Sequence, residues 1–540
     1  MYLKQVHQKN PDGTKRTYLQ FVESVRTEQG PRQNILINLG RIDTKTGKEK
    51  IELLAQAIVK ISETIDVLDI EKDVEGTWAK SMGPALIFRK LFEKINLDKV
   101  LDKTFDNNVD TEFNVKDCLF NLILNRLTDP GSKREMTEWQ QNQYGLNQYD
   151  LQHYYRTMDH LYNNREKIEQ EIFQNMKELS STRSKDVNVA LFDTTTIVYY
   201  GEGEETEESL LDYGFSKDRR SDLKQVVVGL ALTADGIPIA HNAYAGNTND
   251  VRCFEQLVSK FHKDHGVKKV TFVTDRGMIS HKNLELLESK HYGYVMGFRM
   301  RTIKKDERSE LLCKANLTEI KETLQYKNVE YKGRRLVVYY NPERAVLEAK
   351  KREEIIDRLK EKIKTGKLES IIESKDYKRF LKIEGKAPIL DQEKVDADAI
   401  YDGIFVITTN TNRSASEVID SYRSLWQCEF SFRTLKSELN MGPIYHFKER
   451  RIVSHIFICF LALICRIMMT KKIKKKDKDA SFSSVMADVK RLFAMKIKIK
   501  SSEVVTRTEL NDGTKLAIKS LEMAFPKKVL SYENPKLIVL

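Results

Sequence analysis

A chain of 540 residues with 40% hydrophobic content is too long for one ordinary core and apolar enough to pack roughly two to four domains, which excludes a disordered chain. Its 91 Lys and Arg against 79 Asp and Glu give a net charge of +12, which suits a polyanionic partner without requiring one. Cys118, Cys253, Cys313, Cys428, Cys459 and Cys465 lack paired metal-ligand spacing and predict reduced, mostly buried thiols of an intracellular protein.

Residues 1–45 alternate polar and apolar side chains over Thr17–Val25 and Asn34–Gly40, which predicts a small antiparallel β unit. Residues 46–184 turn to helical periodicity in Ile51–Ile65, Ala85–Ile95, Val115–Leu127 and Ile168–Leu179, with a turn at Asp129-Pro130-Gly131. Sheet texture fills 185–299. Val187–Phe192 is a strand ending in Asp193, and Gln225–Thr233 turns through Ala234-Asp235-Gly236 into Ile237–Ala240. A helix over 249–264, capped by Asn249 or Thr248, leads to strand Val270–Thr274 ending in Asp275, a helix over about 280–290, and strand Tyr294–Phe298. This order predicts an α/β core in which a mixed sheet is flanked by helices.

Residues 300–400 break the rhythm with Arg334–Tyr340 and a charged helix Glu343–Lys364, and read as an insertion domain. The sheet resumes within 401–470 at Asp402–Thr409, followed by one long helix from Ala415 to Leu439. Ile456–Met469 is too short to span a bilayer and carries Arg466, so it predicts a buried core helix in a soluble protein with no membrane partner. The N-terminal residues hold no signal-peptide core, and localisation is expected to be cytoplasmic. Residues 471–540 form a basic C-terminal region whose Lys471–Lys476 run reads as solvated.

Asp193 and Asp275 each follow an apolar strand, where side chains project into the crevice beside a sheet; either alone could be a turn residue. In the helix that follows, Tyr422, Glu429 and Lys436 stand seven apart and share one face within about 40°. That stripe also carries Leu425, Phe432 and Leu439, so Glu429 and Lys436 look inward, where charge needs a partner. An ion pair at the edge of an amphipathic helix is the plainer reading. Three carboxylates in one crevice would repel unless hard divalent ions neutralised them, which favours Mg²⁺ or Mn²⁺ at two positions about 4 Å apart. Lys436, about 10 Å along the helix from Glu429, can then hold a phosphate, and Tyr422 another.

These residues resemble the DDE transposases of bacterial insertion sequences, in the IS-four superfamily and closest to its 1634-type branch. The family signature Tyr-x2-Arg-x3-Glu-x6-Lys is met by Tyr422, Glu429 and Lys436, with Leu425 in place of Arg and with Arg423 and Arg433 as nearby substitutes. Leu191–Thr196 around Asp193, Val273–Gly277 around Asp275, Tyr213–Gln225 and Gly246–Asp250 also look like family segments. The resemblance covers about 186–470 and implies an RNase-H-like catalytic domain with Asp193, Asp275 and Glu429 as catalytic residues and metal ligands. It implies nicking of element ends and attack of the 3′-hydroxyls on target DNA. The partners it implies are double-stranded DNA (terminal inverted repeats and target), and the reaction's geometry leads one to expect a second copy of the chain in a synaptic homodimer. Some relatives flip a base beside the signature helix, and Trp426 stands where a stacking ring would be placed, although a core tryptophan fits equally. Lys217, Arg219, Arg220 and Lys224 form a basic loop able to reach phosphates, and residues 46–184 would bind element ends. The alternatives are a nuclease of the same fold without strand transfer, a DNA-binding protein with a decayed site, and a hydrolase of another substrate using the same acids.

Overall fold

The computed structural model describes residues 1–27, 30–61, 70–105, 112–179, 189–201, 209–304, 307–308, 317–321, 324–365, 375–384 and 387–533. They fall into two units, Met1–Trp78 with Met495–Thr506 and Ser531–Leu540, and Ala79–Ala494 with Arg507–Leu530.

In the first unit β1 (Tyr2–Lys9), β2 (Lys15–Thr27) and β3 (Gly30–Arg41) form an antiparallel sheet in chain order. The β1–β2 turn passes through Gly13 at φ +81°, a left-handed conformation that glycine adopts without a Cβ penalty. Helix Lys45–Ile61 follows, and the expected continuation to Ile65 lies outside the described residues. Strand β4 (Val74–Ser81) interrupts the stretch that helical periodicity covered. It edges a four-stranded sheet with the C-terminal strands Phe493–Ile499, Ser502–Arg507 and Val529–Glu533. Local periodicity gave no sign of this strand because its pairing partners lie more than 400 residues away in sequence.

The second unit is built on a nine-stranded mixed sheet. Its strands are β5 (Val189–Val198), β6 (Gln225–Thr233), β7 (Pro238–Ala245), β8 (Thr271–Thr274), β9 (Gly293–Gly297), β10 (Thr318–Lys321), β11 (Leu324–Tyr331), β12 (Arg334–Tyr340) and β15 (Ile404–Thr409). Their spatial order is β10-β11-β12-β15-β9-β8-β5-β6-β7, while β13 (Leu381–Glu384) and β14 (Ala387–Leu390) make a separate hairpin. β5, β6 and β7 form an antiparallel meander, and β5, β8 and β9 run parallel through helices Asp250–Lys263 and His281–Ser289. All nine residues of β6 are buried, as expected of a strand covered on both faces.

The apolar helix anticipated at Ile456–Met469 extends over Glu449–Lys476. By length and composition it could cross a bilayer, yet 94% of its apolar window is buried inside the fold. Phe457 and Phe460 stack on His241 of β7 at centroid distances of 5.0 and 4.5 Å, and Ser454 donates to the Met158 carbonyl at 2.6 Å. Its last turn carries Lys474–Lys476, where cations complement the exposed carbonyls of the helix end, while Lys471 and Lys472 are half-buried.

Three expectations need correction. β5 does not stop at Asp193 but continues to Val198, because Thr194–Val198 supplies five β-branched residues in succession. The stretch 300–400 is not a separate insertion domain throughout, since β10, β11 and β12 extend the central sheet. The long helix Ala415–Leu439 is divided into Ala415–Arg423, Trp426–Arg433 and a π turn Thr434–Glu438. At the break Ser424 Oγ bonds back to the Ser421 carbonyl at 2.6 Å, the local side-chain competition that disfavours a continuous helix. Of the six cysteines, Cys118, Cys253, Cys428, Cys459 and Cys465 are buried free thiols; Cys313, like Val187, lies outside the described residues.

Ile464 is fully buried and Lys474, on the same helix, is exposed. Ile464→Ala is expected to lower stability by about 2–5 kcal/mol in urea melts and Lys474→Ala by less than about 0.5 kcal/mol. Equal effects would show that this helix is not the core element its burial indicates.

Candidate active site

Asp193 occupies the middle of β5, paired with Leu230 of β6, and its side chain is 26% exposed. Asp275 follows the last residue of β8, and Glu429 lies in the first turn of helix Trp426–Arg433. These three carboxylates, from three separate elements, line one cleft of about 1050 Å³ together with Tyr422, Arg423, Leu425 and Trp426.

Burial pushes the Asp193 carboxyl up to about 6. The Lys217 ammonium and the Thr194 N–H, which donates to Oδ1 at 2.7 Å, pull it back, whereas Asp275 and Asp250 push it further up. Lys217 Nζ stands 3.8 Å from Asp193 Oδ1 and 3.8 Å from Asp250 Oδ1, and donates to the Thr194 carbonyl at 2.6 Å and to Thr194 Oγ1 at 2.8 Å. Thr194 Oγ1 in turn donates to Asp250 at 2.5 Å. Asp250 opens helix Asp250–Lys263, whose cap is Asn249, one of the two anticipated. Sequence reasoning gave Asp250 no role, although it closes the Gly246–Asp250 segment between the two strand-associated aspartates.

Asp275 is held from the other side. Tyr422 Oη donates to its Oδ1 at 3.1 Å, and burial beside that carboxylate raises the Tyr422 hydroxyl, which keeps it a donor. The approach requires Gly297 at the end of β9, where a Cβ would lie 3.0 Å from the Arg276 nitrogen and closer still to Tyr422 Oη. Helix Trp426–Arg433 is fixed by Gln427, whose Nε2 donates to the Ala234 carbonyl of the β6–β7 turn at 2.8 Å, and by buried Cys428 and Phe432.

The helix break changes the single-face expectation. Tyr422 belongs to the preceding helix and meets Asp275, while Lys436 lies in the π turn and pairs with Asp218 at 2.7 Å. Trp426 is 60% exposed with its ring edge-on to Phe430 at 6.2 Å, so it is not a core tryptophan. Arg423 lines the cleft, but Arg433 does not, although it too is exposed. In the basic loop, Lys217 faces the acids and Arg219 is exposed. Arg220 pairs with Asp222 at 2.8 Å, and Lys224 lies 5.9 Å from the Tyr213 ring centroid. The sequence reading missed the cations of the cleft wall, which include Arg276, Arg299, Arg344, Lys351 and Arg379.

Carboxylate oxygens are the donors that hard divalent ions prefer, and a cation would offset the burial that raises the Asp193 carboxyl. Among the described residues, however, no three His, Cys, Asp or Glu side chains are gathered as a group that could hold a metal ion. The donor chemistry fits such an ion; the spacing of the three acids here does not.

A family profile described as "Transposase DDE domain" matches residues 184–465, more than half of the chain, and one described as "IS1634 family transposase, N-terminal domain" matches residues 3–67. No curated protein matches the chain. Among solved structures, a piggyBac transposase synaptic complex with hairpin DNA is similar at 10% identity and a TM-score of 0.38, covering 76% of this chain and 79% of that one. A Mos1 transposase paired-end complex with the left transposon end is similar at 11% identity and a TM-score of 0.15, covering 47% and 68%. Both scores are low.

With its folded pKa raised, Asp193 favours the native state below the unfolded value and loses that contribution as pH rises to about 6. Asp193→Asn is therefore expected to melt at a higher temperature than the unsubstituted chain at pH 8 in chelator-treated buffer. The gap should shrink as pH falls from about 6 towards 4. A Tm difference that does not change with pH would remove the buried charge as its cause.

Proposed function

We propose that this chain, which belongs to the DDE transposase family and to its IS1634 branch, nicks the ends of a DNA element and joins the freed 3′-hydroxyls to target DNA. The observation that carries the reading is the convergence of Asp193, Asp275 and Glu429 on one cleft with a wall of arginines. The strand order β7-β6-β5-β8-β9, antiparallel on one side of β5 and parallel on the other, supports an RNase-H-like reading of the sheet.

On this reading Asp193, Asp275 and Glu429, which do not form a metal-holding group as they stand here, would hold divalent Mg²⁺ or Mn²⁺ only once drawn together, and the ion would then supply Lewis-acid activation of a water or 3′-hydroxyl and stabilise the leaving oxygen. The protein's own groups do the rest. Tyr422 orients Asp275, so its part is to position an acid. Arg423 and the wall cations attract the phosphodiester backbone into the cleft, and Lys217, beside Asp193, and Lys436, beside Asp218, take further phosphates. Arg433, Arg219, Arg220 and Lys224 lie outside the cleft lining and serve the outer path of the strand. Joining two element ends calls for two copies of the chain, acting on DNA in the cytoplasm.

The test is cleavage of a labelled duplex carrying the element ends with Mg²⁺ or Mn²⁺. Glu429→Gln is expected to lower nicking at least about a hundredfold, the scale of losing charge stabilisation at the reacting centre, while duplex binding persists. Equal nicking by both proteins would remove Glu429 from the mechanism. Strand transfer into a second duplex separates a transposase from a nuclease.

Trp426 is exposed in the cleft, which suits a ring that receives an extruded base. Trp426→Ala is expected to diminish the fluorescence rise of 2-aminopurine placed at the element end. Unchanged fluorescence with unchanged cleavage would exclude flipping onto this ring.

A further inference from the structure

The same unit carries a second surface that the cleft does not use. Beyond Asp193 the chain of β5 continues to Tyr200, whose N–H donates to the Ile444 carbonyl at 2.9 Å, while the Ile444 N–H donates to the Val198 carbonyl at 2.9 Å. The stretch Ile444–Phe447 alternates: Ile444 is buried, Tyr445 exposed, His446 half-buried and Phe447 exposed. Tyr200 and Tyr445 stack at 6.3 Å with 28° between their planes. Tyr213 and Phe215 precede the Lys217–Arg220 loop, and the five rings are exposed by 41% (Tyr200), 55% (Tyr213), 85% (Phe215), 68% (Tyr445) and 53% (Phe447).

Such a concentration of aromatic surface in water marks a binding site. Cations stand at the rings. The Arg220 guanidinium lies 6.0 Å from the Tyr200 centroid and donates to its hydroxyl at 3.2 Å; Lys224 lies 5.9 Å from Tyr213 and Lys448 5.9 Å from Phe447. No leucine, isoleucine, valine or methionine in Tyr199–Gly201, Ser209–Lys224 or Asn440–Lys448 is exposed, so the patch lacks the aliphatic surface of a protein-binding core.

We infer that Tyr200, Tyr445 and Phe447, with Tyr213 and Phe215 beside them, form a stacking platform for unpaired bases of single-stranded DNA that runs from the cleft. A duplex presents base edges in its grooves, whereas an unpaired base offers a face that any aromatic ring can take. Tyr445 and Phe447, two residues apart in extended chain, stand roughly 7 Å from each other, about two nucleotide steps. Seven residues of extended chain separate Asp193 from Tyr200, roughly 23 Å, or six to seven nucleotides. The Lys217–Arg220 loop joins the two places, with Lys217 on Asp193 and Arg220 on Tyr200. The inference rests on the proposed function for the origin of the strand, not for the chemistry of the surface.

Fluorescence anisotropy of the full chain with a labelled oligothymidine and with a duplex of equal length tests it. The double variant Tyr445→Ala/Phe447→Ala is expected to bind the single strand at least about 25-fold more weakly, fivefold or more for each ring, with duplex affinity and Tm unchanged. Tyr445→Phe, which keeps the ring, should retain single-strand affinity. Unchanged single-strand binding in the double variant, an equal loss on duplex, or Tyr445→Phe as weak as Tyr445→Ala would overturn the platform. So would a changed oligomeric state with single-strand binding intact, which would assign the surface to a second copy. Metal-dependent nicking by the unsubstituted chain is read in parallel. Nicking without the single-strand effect leaves the proposed function standing and the platform refuted; the single-strand effect without nicking does the reverse.

Discussion

Strand β5 is hydrogen-bonded along both edges, to β6 and to β8, and at its fifth residue carries a carboxylate among nine side chains of which eight are buried. Burial makes ionisation of that carboxylate unfavourable, and two further carboxylates, Asp250 and Asp275, make it more so. A chain selected for stability alone would place a neutral residue there. Lys217 and the Thr194 N–H offset part of the burden, but the Asp193 carboxyl still stands near 6, above the ordinary range of aspartate. Perturbed acids of this kind gather where chemistry is done.

The other two acids are less secure by themselves and depend on distant parts of the chain. Asp275 follows a strand of four residues and is fixed by Tyr422, which reaches it because Gly297 has no side chain. Glu429 sits on a helix of eight residues, too short to hold its own position. Gln427 ties that helix to the β6–β7 turn, and Lys471 of the long buried helix grips Asp235 in the same turn at 3.1 Å. Arg466 of the buried helix holds Glu438 through two hydrogen bonds of 3.0 and 3.1 Å, fixing the π turn that ends the segment. The apolar helix thus has a positional role besides its core role.

Much of this was legible in the sequence because it is local. The apolar strand before Asp275, the Ala234–Gly236 turn, the Asn249 cap and the apolar run at Ile456–Met469 each carry their own physical signal, and each has its element in the structure. The three acids were proposed from patterns of spacing, an aspartate after each of two apolar strands and a charged residue on an apolar stripe, but Asp193 lies within β5 and the stripe is divided by the helix break. What escaped was non-local. The sequence showed the Arg334–Tyr340 strand but not that it pairs with β15 and so brings arginines to the cleft. The single long helix was read through Ser424 because polar residues are ordinary on a helix face, and a side chain bonding to its own backbone leaves no periodic trace. The sequence reading did not single out Tyr445 and Phe447; Ile444 is bridged to Tyr199 beyond the end of β5 and buried, while both rings are exposed.

The loop from Lys217 to Arg220 shows how closely the acids and the aromatic surface are joined. Within four residues the chain delivers one cation to Asp193 and Asp250 and another to Tyr200, whose side chains face different parts of the molecule. Reversing direction in so short a span requires a left-handed residue, and Arg219 adopts φ +60° although it is not glycine. A residue with a side chain gives up roughly 1 kcal/mol in that conformation, so the surrounding contacts must fix it. They do so at both ends: the Lys217 N–H donates to Thr196 Oγ1 at 2.9 Å, and Arg220 is clamped between Asp222 and the Tyr200 hydroxyl. Whatever competes with Lys217 for Asp193 and Asp250 therefore acts on a strained loop whose far end rests on the aromatic platform.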